Sequence, residues 1–153
     1  MTTYHIRRVD WQQYGETCAN LRKLVFFEEA RYHYFAALDG ADIRCRHVLA
    51  VDAQQQPIGC GRIDQDWRLS RIAVLRAWRQ LGVGTALLNE LIAIARDSGA
   101  AQVQCAVPVF SVEYYRQQQF EPTGSVYQES SVPHQRMQLQ LVSVGARNAV
   151  GGE

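Results

Sequence analysis

The sequence predicts a single α/β domain, and three observations carry that prediction. The chain has 153 residues, 47% of them apolar, which is enough to build one buried core. Several segments alternate polar and apolar residues with a period of two, as half-buried strands do. At Gly84 the period lengthens to about 3.6, that of an amphipathic helix.

"YHIRRV" alternates and predicts a first strand over 4–9. Trp11 to Leu24 follows helical spacing, with Cys18, Leu21 and Leu24 or Val25 on one face. "VFFEEARYHYFAAL" reads as a second helical or irregular segment, ending at the turn signal "DGAD". "RHVLAV" and "IGCGRID" are strand-like, and "DAQQQP" between them has the length and the proline, Pro57, of a hairpin loop. "WRLSRIAV" predicts a further strand with Leu69, Arg71 and Ala73 on one face and Ser70, Ile72 and Val74 on the other. From Gly84, Leu87, Leu88, Leu91, Ile92 and Ala95 form an apolar stripe, and Gly99 sits where a helix C-cap belongs. "AQVQCAVPVF" predicts a strand, "VEYYRQQQF" a short helix and "RMQLQLV" a closing strand. Residues 143–153, "SVGARNAVGGE", lack periodicity and read as a frayed tail after a domain over 1–142. The pattern contains neither an internal repeat nor a second-domain boundary.

Composition narrows the function. With 16 basic and 15 acidic residues the net charge is +1, so nothing points to a nucleic-acid partner or an anionic membrane. No apolar run approaches the roughly 20 residues of a membrane span, and "MTTYHIRRVDWQQY" lacks a secretion signal's apolar core, so a cytoplasmic location is expected. Cys18, Cys45, Cys60 and Cys105 form no CxxC pair, which suits neither a metal site nor a disulfide scaffold; they are expected to be reduced and mostly buried.

Arg79 to Gly84 spells RxxGxG between a predicted strand and a predicted helix. Glycine removes the Cβ that blocks close approach, and the first helical N–H groups lie unpaired at the positive end of the helix dipole. Such a turn either cradles an anion, with Arg79 and Arg76 adding charge, or merely packs a strand against a helix. A P-loop would need Gly-Lys-Ser/Thr where Gly84, Thr85 and Ala86 stand, and a dinucleotide fingerprint would need a glycine in place of Leu87.

The segment "IAVLRAWRQLGVGTALLNELIAIARDSGA" resembles the coenzyme-binding motif of the GCN5-related N-acetyltransferases (GNATs). "YYRQQQFEPTG" is similar to that family's "FYxxxGFxxxG", and "VYQESSVPHQRM" to the "xExGIPHxxM" ending of its ElaA-like branch. "LRKLVFFEEARYHYFAALDGADIRCRHVLA" resembles the branch's "LRxxVFVxEQ" helix, acidic turn and following histidine, which places His47, Asp39 and Asp42 on the branch pattern. The resemblance runs from about residue 4 to residue 142. It implies a mixed, mostly antiparallel central sheet flanked by helices on both faces, acetyl-CoA as cosubstrate, no metal, and an amine-bearing acceptor. A homodimer is a family-level expectation. The coenzyme-binding residues it implies are Ile72, Ala73 and Val74 on the strand and Arg79, Gln80, Leu81, Gly82, Val83, Gly84 and Thr85 in the turn.

Acetyl transfer from a thioester to an amine needs a stabilised oxyanion, a base for the amine and a proton for the departing thiolate. The resemblance gives the first to a backbone N–H near Val74 and the last to Tyr115, a phenol that could protonate the leaving sulfur. Two departures stand out: Gln119 replaces the family's glycine before Phe120, and Pro108 replaces an amide residue at the end of the preceding strand. For the base, Asp64, Asp66, Glu28, Glu29 and His134 are candidates, with His134 alone in a matching context. Phe27, Glu28 and Asp64 are candidates for the acceptor side. Phe26, Phe27, Tyr32, Tyr34, Phe35 and Trp67, beside a few acids, would suit a cationic amine if they line the site rather than fill the core. The alternative to an N-acetyltransferase is a non-catalytic acyl-CoA-binding or sensing module, which Gln119 and Pro108 favour and Tyr115 opposes. A generic nucleotide-binding protein would need a lysine or acidic ribose partner that the turn lacks.

Overall fold

The computed structural model describes residues 3–29, 39–129 and 131–141, which fall into two units, Met1–Ile92 and Ala93–Glu153. Each unit carries its own antiparallel sheet. The mixed α/β character and antiparallel pairing agree with the sequence reading. Residues 30–38, with Tyr32, Tyr34 and Phe35, and the 143–153 tail lie outside the described residues.

In the first unit β1 (Tyr4–Val9), β2 (Arg46–Asp52), β3 (Pro57–Ile63) and β4 (Leu69–Val74) form a meander in chain order. The β2–β3 hairpin is held by Asp52, whose Oδ1 accepts from the amides of Gln54 and Gln56 at 2.8 and 2.9 Å. Helix α1 (Trp11–Arg22) starts at Asp10, whose carboxylate caps the Gln13 amide at 2.8 Å. The helix then widens into a π-helical stretch, Lys23–Glu29. That change of pitch decides between the two residues left open by the periodicity: Val25 is buried and Leu24 is exposed. Cys18, Leu21 and Val25 pack with Leu49, Val51, Cys60 and Ala73 to form the core on this side of the sheet.

Helix α2 (Val83–Asp97) begins in this unit, and its side chains Leu87 and Leu91 lie over glycines of β3. A Cβ on Gly61 would sit 3.0 Å from Leu91 Cδ1 and 3.2 Å from Ile72 Cγ1, so glycine is what permits this close approach. Strand β3 thus has α1 on one face and α2 on the other.

The strict alternation expected for β4 does not hold. Arg71 is a bulge residue at φ 58, and the β3 partner jumps from Cys60, opposite Ala73, to Arg62, opposite Ser70. The extra residue reverses the parity. Ser70 therefore shares a face with Ala73, the α1 side, while Leu69 falls with Ile72 and Val74. A bulge of this kind carries no mark in an otherwise regular pattern.

In the second unit β5 (Gln102–Pro108), α3 (Val112–Gln117), β6 (Glu121–Glu129) and β7 (Val132–Gln140) follow one another, with strand order β5-β7-β6. Val103, Cys105, Val107, Phe120, Met137 and Leu141 supply the buried side chains. Strand β6 escapes the sequence reading because none of its side chains is buried, so it has no apolar alternation to detect. It bulges at Gly124, φ 71, and the buried Gln135 amide holds the bulge by donating to the carbonyls of Thr123 and Gly124 at 2.9 and 3.1 Å. At the end of α2, Gly99 takes φ 82 and its amide donates to the Arg96 carbonyl at 3.1 Å, the C-cap expected of it.

All four cysteines are free thiols, with Cys18, Cys60 and Cys105 buried and Cys45 half-buried. Among the described residues no helix is long and apolar enough to cross a membrane.

Candidate active site

Among the described residues strand β4 is hydrogen-bonded to β3 on one side only, an edge position whose free backbone groups can pair with an added strand-like partner. Past Val74 the chain makes a single tight turn at Arg76–Trp78. Arg79 Nε donates to the Val74 carbonyl at 2.9 Å and ties the turn to the strand end. Gln80 takes φ 64 and Gly82 φ 86, and the Tyr4 hydroxyl donates to the Leu81 carbonyl at 3.3 Å. The Ala86 amide donates to the Gly82 carbonyl at 2.9 Å and closes the first helical turn, so the amides of residues 83–85 lie ahead of the helical ladder at the positive end of α2.

The two glycines of the motif are present for different reasons. Gly82 is required by its left-handed backbone, and a Cβ there would lie 3.2 Å from the Tyr4 hydroxyl. Gly84 has neither constraint: its Cβ would meet only Val74 Cγ2, at an ordinary 3.8 Å. Inside a helix a glycine costs roughly 0.5–1 kcal/mol relative to alanine. Strand-to-helix packing does not account for it.

Tyr115 lies on α3, its ring edge-on to Phe120 with centroids 5.4 Å apart and to Tyr114 at 5.2 Å. Burial, together with nearby Cys105 and Tyr114, pushes its phenol above the ordinary tyrosine range. The hydroxyl therefore keeps its proton at any physiological pH. The family's glycine position, Gln119, adopts φ 74, so the turn into Phe120 is retained with a side chain in the left-handed region. The Phe120 amide still returns to the Tyr115 carbonyl at 3.0 Å.

His134 stands on β7 in register with Pro108 on β5 and Tyr127 on β6. Its Nδ1 lies 2.8 Å from the Val132 carbonyl and its Nε2 3.3 Å from a carboxylate oxygen of Glu129. The alternation of β7 turns His134 to the face opposite the buried Gln135 and Met137. No hydrogen bond or ring contact joins Tyr115 to His134 among the described residues.

The other candidates have local work. Asp64 Oδ1 accepts from the amides of Asp66 and Arg68, each at 2.9 Å, and holds the β3–β4 turn in which Trp67 takes φ 60. The backbone of Phe27 and Glu28 belongs to the π-helical stretch, and their side chains lie outside the described residues. Asp42 is buried and Asp39 exposed, and both face arginines. Arg62 Nη1 meets Asp39 at 2.9 Å and Asp42 at 2.8 Å, Arg22 Nη1 meets Asp42 at 3.0 Å, and Arg71 Nη2 meets Asp39 at 3.2 Å. Hydrogen bonds from Arg62 hold Asp39 well below the usual carboxylate range. For Asp42 burial is the largest single influence and opposes ionisation, yet the bonds from Arg22 and Arg62 outweigh it and its acidity rises. His47 is buried beneath Trp11, centroids 4.7 Å apart, with Nε2 2.9 Å from the Asp42 carbonyl; burial lowers its affinity for a proton. The acidic turn is thus tethered to the sheet.

Sequence reasoning passed over Arg71, Glu129 and Gln135. Nothing in local periodicity marks a bulge residue, a hairpin carboxylate or a buried amide; the ExxxxH spacing of Glu129 and His134 was the one available signal.

Residues 28–141 match the family model of the acetyltransferase (GNAT) domain, most of the chain, and the protein belongs to that family. YyaT of Bacillus subtilis (strain 168) is 23% identical over 143 residues, 90% of this chain and 96% of the relative. The N-acetyltransferase YjcF of the same organism is 26% identical over 121 residues, 76% of this chain and 86% of the relative. Among solved structures, Escherichia coli ElaA superposes with a TM-score of 0.76 at 23% identity, covering 92% of this chain and all of that one (100%). An acyl-CoA N-acyltransferase from Pseudomonas aeruginosa gives 0.74 at 20% identity, over 90% and 99%. These likenesses are of fold.

Proposed function

We propose that the protein is an acetyl-CoA-dependent N-acetyltransferase, moving an acetyl group to a primary amine of a small molecule or protein by direct attack. The observation that carries this reading is Gly84, a helix-opening glycine that backbone conformation and packing leave unexplained, in the position where the family holds a pyrophosphate. The amides of residues 83–85 and the charge of Arg79 and Arg76 receive the phosphates. The edge of β4 at Ile72, Ala73 and Val74 pairs with the pantetheine arm, and a backbone N–H near Val74 faces the thioester oxygen as negative charge develops there.

His134 takes the proton from the acceptor's ammonium, freeing the lone pair that forms the C–N bond. Collapse breaks the C–S bond, Tyr115, held protonated by burial, donates its hydroxyl proton to the departing sulfur, and the second proton lost by the new amide nitrogen returns to the Tyr115 oxygen. Asp64, Phe27 and Glu28 remain candidates for holding the acceptor.

Calorimetric titration with acetyl-CoA and free CoA, with ATP and NAD as comparators, tests the cradle. Saturable binding of both CoA species, with neither comparator close, is the expected result and opens an amine screen. A folded sample that ignores CoA removes the enzyme reading. CoA binding without turnover across a broad amine panel would favour the acyl-CoA sensing module instead.

A further inference from the structure

The immediate surroundings of His134 assign its two ring nitrogens different roles. A carbonyl can only accept, so the 2.8 Å contact with Val132 requires a hydrogen on Nδ1. In the neutral ring this leaves Nε2 as the basic atom. Among the described residues that atom has one charged neighbour, the Glu129 carboxylate, 3.3 Å away. Glu129 comes from β6 and His134 from β7, diagonal neighbours on one face of the hairpin, since Glu129 pairs with Val132 and Tyr127 with His134. Two further titratable or charged groups on this face, among the described residues, are the Tyr127 ring, 6.0 Å from the imidazole, and the Arg136 guanidinium, which stacks on Tyr127 at 4.5 Å. Pro108 on β5 adds no charge. The imidazole is largely buried, with its side chain 13% exposed, while that of Glu129 is 59% exposed and reaches solvent.

We propose that Glu129 is the positioning residue of this histidine: it receives the Nε2–H that His134 acquires in the reaction and neutralises the imidazolium. This rests on the reading of His134 as the base. The proton balance is complete. An N–H bond of the acceptor ammonium breaks, an Nε2–H bond forms along the ring's free lone pair, the positive charge moves to the ring, and once the freed amine moves off to attack, the exposed Glu129 carboxylate accepts that N–H and its oxygens pass the proton to water. The logic is that of an imidazole held in one tautomer by an acceptor on its far nitrogen, with a backbone carbonyl in that place and a carboxylate answering the charge.

Nitrogen-15 NMR of the histidine side chains in the full-length protein tests the assignment without any acceptor. The His134 signals, assigned by their loss in His134→Gln, should show a neutral ring protonated at Nδ1. In the protonated ring the Nε2–H proton should resonate downfield and move upfield in Glu129→Gln. A neutral ring protonated at Nε2, or an Nε2–H signal indifferent to Glu129→Gln, overturns the proposal while leaving acetyl-CoA binding untouched. With the fastest primary amine from an acetyl-CoA screen, Glu129→Gln should lower kcat about ten- to a hundredfold, as loss of a hydrogen bond to a charged group does. KM for acetyl-CoA should stay unchanged, Glu129→Asp should recover part of the rate, and the substitution should add little in a His134→Gln background. Equal kcat in Glu129→Gln also overturns the proposal.

Discussion

Arg62 and Asp42 meet inside the first unit, Nη1 to Oδ1 at 2.8 Å, with side chains 7% and 3% exposed. The same carboxylate holds Arg22, whose side chain is fully buried, so one acid answers two guanidinium groups. Asp42→Asn should therefore destabilise the protein by about 3–5 kcal/mol, the usual cost of leaving a buried charge without its partner. Urea unfolding measures it; a loss below about 1 kcal/mol would mean that solvent reaches the arginines.

The same ion pairs set a pH dependence. Asp39 and Asp42 are more acidic in the folded chain than when unfolded. Their contribution is complete above the ordinary aspartate value of about 3.9 and is lost as pH falls below it toward the folded values. The urea midpoint should decline on acidification below that point, and the Asp42→Asn variant should decline less steeply.

Gln119 bears a side chain at φ 74, where an L-residue is strained by about 1–2 kcal/mol. Gln119→Gly relieves the strain and gives back part of it as unfolded-chain entropy. Thermal unfolding should show a gain of about 0.5–1 kcal/mol. An unchanged or lowered midpoint would show that the Gln119 side chain contributes contacts worth as much as the strain.

Gly84 separates packing from ligand binding. A Cβ at Gly84 meets no steric block, and Gly84→Glu sits in the first turn of α2, where a carboxylate is tolerated. It should leave the circular dichroism unchanged and reduce CoA affinity at least about tenfold, because it puts a like charge where the phosphates dock. Undiminished CoA affinity would move the cradle elsewhere.

Tyr115→Phe removes only the hydroxyl. Acetyl-CoA binding should persist while kcat falls by about a hundredfold, the usual scale for losing a general acid. The raised phenol also predicts that Tyr115 keeps its proton at pH values where exposed tyrosines ionise. The phenolate absorbance lost on Tyr115→Phe should accordingly appear only above pH of about 10.

Much of this fold was legible because its signals are local. The β1 and α2 segments announce themselves by period, β2 and β3 as strand-like runs around a hairpin loop, Gly99 by cap chemistry, and the turn by RxxGxG, each within a few residues of chain. β6 was not legible, because a strand without buried side chains carries no apolar period. The faces of β4 were misassigned because one bulged residue, Arg71, reverses parity without altering composition.

The candidate site divides along the same line. By itself the sequence determined the family and the position of the glycine turn and singled out Tyr115 and His134 as candidates, since motif spacing survives in one dimension. Only the tertiary structure separated Gly82, needed for its backbone, from Gly84, which is not. It alone paired Asp39 and Asp42 with their arginines and brought Glu129 beside His134. Those facts depend on distance, burial and hydrogen-bond direction between residues from different strands and turns, and pairing across a fold leaves no periodic trace in the chain.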